Sequence, residues 1–248
     1  MKVAAIVGSI RKDSYNKKLA RYIQKRYSDR FELDILDVRS LPFYDQDIEN
    51  EPSEAVKEFK RRIADADAVL WVVPEYNGTI PGVLGNAIDW LSRVDKVMNG
   101  KPSWIVGASM GQLGTVKAQL HLRDILFSMG ISSPLLPGNE VYVGAVHEKI
   151  DAEGNLIHEP TVKFLDSVVD NLLGMGEQAP SLMRGPVSSI RSGWLPFRGY
   201  PLFFVSLPAI PRSGRNVFDP GRISCIRGKT GKEEAGCGKR YWQTDLRS

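Results

Sequence analysis

The stretch Ser9-Ile10-Arg11-Lys12-Asp13-Ser14-Tyr15-Asn16 puts two serine hydroxyls, a guanidinium and an amide into eight residues. It follows an apolar run that ends at Gly8 and precedes a helical pattern. A strand-to-helix turn leaves backbone N–H groups unpaired at the positive end of the helix dipole, which suits a phosphate. Ser9 and Ser14 offer hydroxyls, Asn16 an amide and Arg11 a charged fork. The pattern is neither G-x-G-x-x-G nor G-x-x-x-x-G-K-[ST], so a terminal monophosphate fits it better than a dinucleotide or triphosphate. The same residues also read as a capped turn, with Asp13 or Ser14 at the N-cap and Arg11 in solvent.

Two more loops carry the same kind of chemistry. In "PEYNGTIPG", Pro74–Gly82, Pro74 ends a strand, Asn77-Gly78 makes a tight turn and Pro81 opens a helix. Tyr76 is an aromatic at the crevice. Glu75 is a candidate general acid or base, but no second carboxylate stands beside it. In "GASMGQLGTVKAQ", Gly107–Gln119, small residues let the backbone approach a flat ligand. Beyond these readings, His121 is a candidate proton donor, Lys12 and Lys17 are candidate partners for a nucleotide phosphate, and Trp90 reads as packing.

These loops need elements to bring them together. Val3–Val7, Ala68–Val73 and Ser103–Ser109 are continuous apolar runs, as expected of strands buried on both faces, while Phe31–Val38 alternates like a strand nearer an edge. A further strand lies in "SPLLPGNEVYVG". Helical spacing runs through Ser14–Tyr27, the segment capped by Ser53, the segment after Pro81, Thr115–Met129 and Thr161–Leu173. Strict alternation implies an α/β fold: a five-stranded parallel sheet with helices on both faces. Five strands fit the flavodoxin-like order 2-1-3-4-5, where ligands sit outside the carboxyl ends of the strands. The loops after Gly8, Val73 and Ala108 all lie there.

The pattern closes near residue 174, so residues 1–176 form the expected domain. Residues 177–248 form a Pro- and Gly-rich tail without steady period, expected to lie outside the fold as an appended or out-of-frame sequence. From Pro180 onward there are twelve Lys+Arg against four Asp+Glu, so the overall charge of +4 comes from the tail and the body is near −4. That balance argues against a nucleic-acid surface. Both cysteines, Cys225 and Cys237, are in the tail, and the three histidines lack metal-ligand spacing, so no metal site is expected. No apolar stretch is long enough to cross a bilayer, and the start of the chain reads as a buried strand of a cytoplasmic protein.

Together "GSIRKDSYN", "PEYNGTIPGVLGNAIDW" and "GASMGQLG…HLRDIL" resemble the NADPH-dependent FMN reductase family, flavodoxin-like quinone, azo-dye and chromate reductases. The resemblance covers residues 1–174. It implies tightly bound, non-covalent FMN, with Ser9, Arg11, Ser14, Tyr15 and Asn16 at its phosphate. It places Pro74, Glu75, Tyr76 and Asn77 along the isoalloxazine, Asn77-Gly78 near its reactive edge, and Ser109 and Gly111 at its pyrimidine end. It implies NADPH or NADH as hydride donor, ping-pong transfer through flavin N5 to quinones, azo compounds, chromate or free flavins, and no side chain that must act as acid or base. Tyr76 and Asn77 then shape the electron-transfer face. Family members are homodimers or homotetramers, which makes Arg123 a candidate subunit contact. The competing reading is a flavodoxin-type electron carrier, against which the weakly acidic body and the second loop both count.

Overall fold

The computed structural model describes residues 1–135 and 138–178, and of 175–178 the main chain alone. The expectation for the tail therefore lies outside the described residues, save that the last helix runs on to Gln178. Five strands, β1 (Lys2–Val7), β2 (Glu32–Leu36), β3 (Ala68–Val72), β4 (Ser103–Ala108) and β5 (Val141–Val143), alternate with five helices. These are α1 (Tyr15–Arg26), α2 (Glu54–Ala64), α3 (Gly82–Ser92), α4 (Val116–Leu126) and α5 (Glu159–Gln178). The strands form one parallel sheet in the order β2-β1-β3-β4-β5. This is the flavodoxin-like order, and β2 is an edge strand as its alternation suggests.

Residue alternation divides the core in two. Val3, Ala5 and Val7 of β1 pack with Leu70, Val72 and Val106 under α1 and α5, through Leu19, Ile23, Leu165 and Val169. Ala4 and Ile6 pack with Trp71 and Ile105 under α2, α3 and α4, through Val56, Phe59, Leu84, Leu91 and Leu122. The central strands are apolar throughout because both faces are covered. The register pairs Ile6 with Leu36, Val7 with Val72 and Ala108 with Val143, so the strands end along a common edge. Among the described residues no helix is long and apolar enough to cross a membrane.

Element ends depart from the sequence pattern where local geometry intervenes. The α3 pattern continues to Val94, but the helix stops at Ser92 because Arg93 is extended and Val94 is left-handed, φ 56°. The α4 pattern reaches Met129, and the helix ends at Leu126. Ser53 occupies the N-cap of α2 without making a side-chain capping bond.

Candidate active site

The three loops converge on a cleft of about 240 Å³ above the ends of β1, β3 and β4. In the first loop, Ser14 is the N-cap of α1, its hydroxyl accepting from the Lys17 N–H at 3.3 Å. Asp13 turns away to pair with Lys18 at 2.7 Å, and that contact holds its carboxyl below the ordinary range. The N–H groups of Tyr15 and Asn16 open the helix and have no partner among the described residues. Ser9 is only 3% exposed and lines the cleft, yet its hydroxyl is also without a hydrogen-bond partner among the described residues. Arg11 lines the same cleft and forms no ion pair among them. An unspent hydroxyl lining the cleft, two unspent N–H groups and a guanidinium on one turn fit a phosphate.

Asn16 plays a different part from the anion donor its residue type suggests. Its Nδ2 donates to the Ala108 carbonyl at 2.9 Å and its Oδ1 accepts from the Ala108 N–H at 3.0 Å. This buried pair of bonds fastens the first loop to the end of β4. Strand β4 in turn lies close to its own helix: a Cβ on Gly107 would stand 1.9 Å from Thr115 Oγ1 and 2.4 Å from the Val73 carbonyl. Only glycine permits that approach. Beyond it, Ser109 Oγ accepts from the Gly111 N–H at 2.9 Å and folds the third loop over the cleft.

The second loop is a two-residue hairpin. Tyr76 and Thr79 exchange N–H···O bonds of 3.0 Å each way. Asn77 and Gly78 both have positive φ, 54° and 72°, as a type I′ turn requires, and Asn-Gly is the pair that tolerates it best. The hairpin is docked on α4. Thr115 sits at the N-cap of α4 but makes no side-chain cap bond. Glu75 caps it instead, its Oε2 accepting from the N–H groups of Lys117 at 2.9 Å and Ala118 at 3.1 Å. A carboxylate there also complements the helix dipole. At the hairpin's far side Thr79 Oγ1 is hydrogen-bonded to His121 Nδ1. Glu75 and His121, the two acid–base candidates, are thus both employed in holding the hairpin.

Ser9, Arg11, Ser14, Tyr15, Asn16, Pro74, Glu75, Tyr76, Ser109 and Gly111 come together around the cleft, with Ala108 and Met110 completing its lining. Asn77 and Gly78, expected at the reactive edge, stand at the hairpin tip outside that lining. Tyr76 is 45% exposed at the rim, an aromatic face available to a planar ligand. A phosphate turn at one end and a flat, backbone-lined slot at the other fit FMN.

Comparison with known proteins agrees. Residues 1–148 match the family described as NADPH-dependent FMN reductase. The chain belongs to this FMN reductase family. A 2-hydroxy-1,4-benzoquinone reductase from Burkholderia sp. is 42% identical over 172 residues, 68% of this chain and 93% of the relative. An NADH-dependent flavin reductase subunit 2 from Lactobacillus johnsonii is 36% identical over 184 residues, 72% of this chain and 99% of the relative. Among solved structures, FerB, a flavoenzyme NAD(P)H:(acceptor) oxidoreductase from Paracoccus denitrificans, aligns with TM-score 0.65 at 37% identity, covering 71% of this chain and 97% of FerB. The protein is accordingly an oxidoreductase with FMN as cofactor and NAD(P)H as donor.

Within this FMN reductase, several residues singled out from sequence serve the scaffold. Trp90 is buried and donates its indole N–H to the Pro42 carbonyl at 2.9 Å. Arg123, the candidate subunit contact, pairs with Glu140 of its own chain at 2.5 Å. Ala108 and Met110 were missed as lining residues. Ala108 ends a strand and carries no chemistry of its own, so only its place at the sheet edge could have pointed to it.

Proposed function

We propose that the enzyme reduces quinones and free flavins, and by the same chemistry azo compounds and chromate, with donor and acceptor taking turns in one cleft. The observation that carries this reading is the convergence of all three loops on one cleft of about 240 Å³, where donor and acceptor would each have to meet the flavin. Bound FMN supplies hydride acceptance at N5 and two-electron delivery to an acceptor. Ser9, Arg11, Ser14, Tyr15 and the main chain of Asn16 hold its phosphate. Pro74, Glu75 and Tyr76 flank the ring, with the Asn77-Gly78 turn behind them, and Ser109 and Gly111 meet its pyrimidine end. The chain's contribution is position and fixed dipoles. Neither Glu75, spent on the α4 cap, nor His121, spent on Thr79, transfers a proton. The working unit is a homodimer or homotetramer, with a two-fold contact through α4, a reading supported by the exposed apolar side chains Leu113, Leu120 and Phe127 on and beside that helix, each more than half exposed.

Purified protein is expected to be yellow and to release FMN on denaturation. Anaerobic NADPH bleaches it without a second protein, and a quinone restores the colour. Arg11→Ala weakens FMN retention about tenfold, the scale of one charge-assisted bond, with circular dichroism unchanged. A colourless protein that FMN cannot reconstitute overturns the function. An Arg11→Ala variant that keeps FMN like wild type overturns the phosphate assignment alone.

A further inference from the structure

Across the first loop from the flavin cleft lies a second, smaller cleft of about 150 Å³, between α1 and the end of β2, lined by Val7, Ile35, Leu36, Lys17, Arg21 and Asp37. Its floor is carbon: Val7 and Leu36 are buried and Ile35 half-buried. Its rim holds two cations and a carboxylate. On α1 the other cations facing the body are paired, Lys18 with Asp13 and Arg26 with Asp166. Lys17 and Arg21, one turn apart, form no ion pair among the described residues and repel each other, which a helix does not favour. Asp37 uses Oδ1 to accept from the Arg39 N–H at 2.9 Å and keeps its other oxygen. Arg39 itself bonds the Ile10 carbonyl, so the wall between the two clefts is fastened to the Asp37 turn.

We propose that this cleft takes the adenosine phosphate half of a dinucleotide, foremost that of the NAD(P)H donor. The inference rests on the reading of the neighbouring cleft as the flavin and nicotinamide site. At about 150 Å³ the cleft is smaller than the neighbouring one of about 240 Å³ and suits one ring system of a larger molecule. A dinucleotide is two such systems joined by phosphates. Dinucleotide folds with a G-x-G-x-x-G turn use an acid for a ribose hydroxyl and a nearby Arg for a 2′-phosphate. This chain lacks that turn and commits the head of α1 to the flavin phosphate, but Asp37 and the Lys17–Arg21 pair put the same donor and acceptor chemistry around the separate cleft. The purine lies on the apolar floor, the ribose diol meets Asp37, and the phosphates meet Lys17 and Arg21. The same arrangement sets donor choice, since the cations favour a 2′-phosphate and Asp37 opposes one.

The test uses 2′,5′-ADP, which carries the adenylate without nicotinamide, titrated calorimetrically into FMN-loaded enzyme. It is expected to bind in competition with NADPH. Arg21→Ala weakens its binding about tenfold and raises the KM for NADPH more than that for NADH. Asp37→Asn moves the NADPH:NADH ratio the other way. Reduced nicotinamide mononucleotide, which lacks the adenylate, separates the two clefts: the ratio of its KM to that of NADPH falls about tenfold in Arg21→Ala. If Arg21→Ala instead raises the KM for FAD as acceptor and not that for NADPH, the adenylate housed is the flavin acceptor's. The proposal is overturned if neither variant changes 2′,5′-ADP binding or any of these constants, or if Arg21→Ala affects NADPH and the mononucleotide equally. FMN content, read from absorbance before each titration, reports separately on the flavin reading.

Discussion

Asp166 of α5 receives three hydrogen bonds from the end of α1: Arg26 Nε and Nη2 donate at 2.9 and 2.8 Å, and the Tyr27 hydroxyl donates at 2.7 Å. The Arg26 fork, with help from Tyr27, holds the Asp166 carboxyl below the usual range. Burial, with the Asp166 bond, pushes the Tyr27 hydroxyl well above its own. The clamp fixes the far end of the helix whose near end forms the phosphate turn. An acid with a lowered folded-state pKa adds stability above its unfolded value, near 3.9, and loses it as pH falls through the folded value. Asp166→Asn is therefore expected to lower the urea midpoint at pH 7, with the gap to wild type narrowing below about pH 4. A gap of constant size down to pH 2 would show that the charge is not what Asp166 contributes. At this scale sequence reading works when a residue's partner is close along the chain. The cap of α1 was legible to within one residue, as Asp13 or Ser14, because Ser14 lies only three residues from Lys17, whereas the 140-residue reach from Arg26 to Asp166 was not.

At the scale of elements, the hairpin and α4 act as one piece. A helix that starts without its own side-chain cap borrows Glu75 from 42 residues earlier, and Thr79 and His121 close the other side. Loss of a cap costs about 1 kcal/mol, and in a domain of this size that shifts melting by about 2–4 °C. Glu75→Ala is expected to show that fall in a thermal melt, with FMN retention falling alongside because Tyr76 rides on the same hairpin. Glu75→Gln, which keeps one acceptor, recovers part of both. If Glu75→Ala melts like wild type but loses turnover, the carboxylate is a chemical group after all. The turn itself was legible, because Asn77-Gly78 carries its geometry in its residue types. Its attachment to α4 was hidden, since a lone glutamate after a strand looks the same whether it caps a helix or moves a proton.

The described α/β fold follows from the periodicities of its elements. Apolar runs alternating with amphipathic ones left few ways to order five parallel strands, and the loops that share the C-terminal edge were identifiable before their residues were weighed. What periodicity cannot supply is what covers the outer face of α4. Leu120 of α4 and Phe127 at its C-cap, seven apart, are 54% and 71% exposed, Leu113 in the turn before the helix is 73% exposed, and Met129 beyond it is 91% exposed. Lys117 and Asp124 lie between them on the same face, also seven apart. Packed antiparallel about a two-fold axis, two copies of α4 bring Lys117 of one against Asp124 of the partner subunit, with Leu120 and His121 near the axis. This is the self-complementarity that an isologous dimer needs. Sedimentation velocity on the wild-type protein is expected to give a dimer. Leu120→Asp, which puts a charge on each side of the axis, is expected to give a folded monomer. Asp124→Lys weakens the dimer by facing two cations, and Lys117→Asp together with Asp124→Lys restores it, because the swapped charges pair again. A wild-type monomer at tens of micromolar, or a double variant no better than the single, would leave the outer face of α4 without this role.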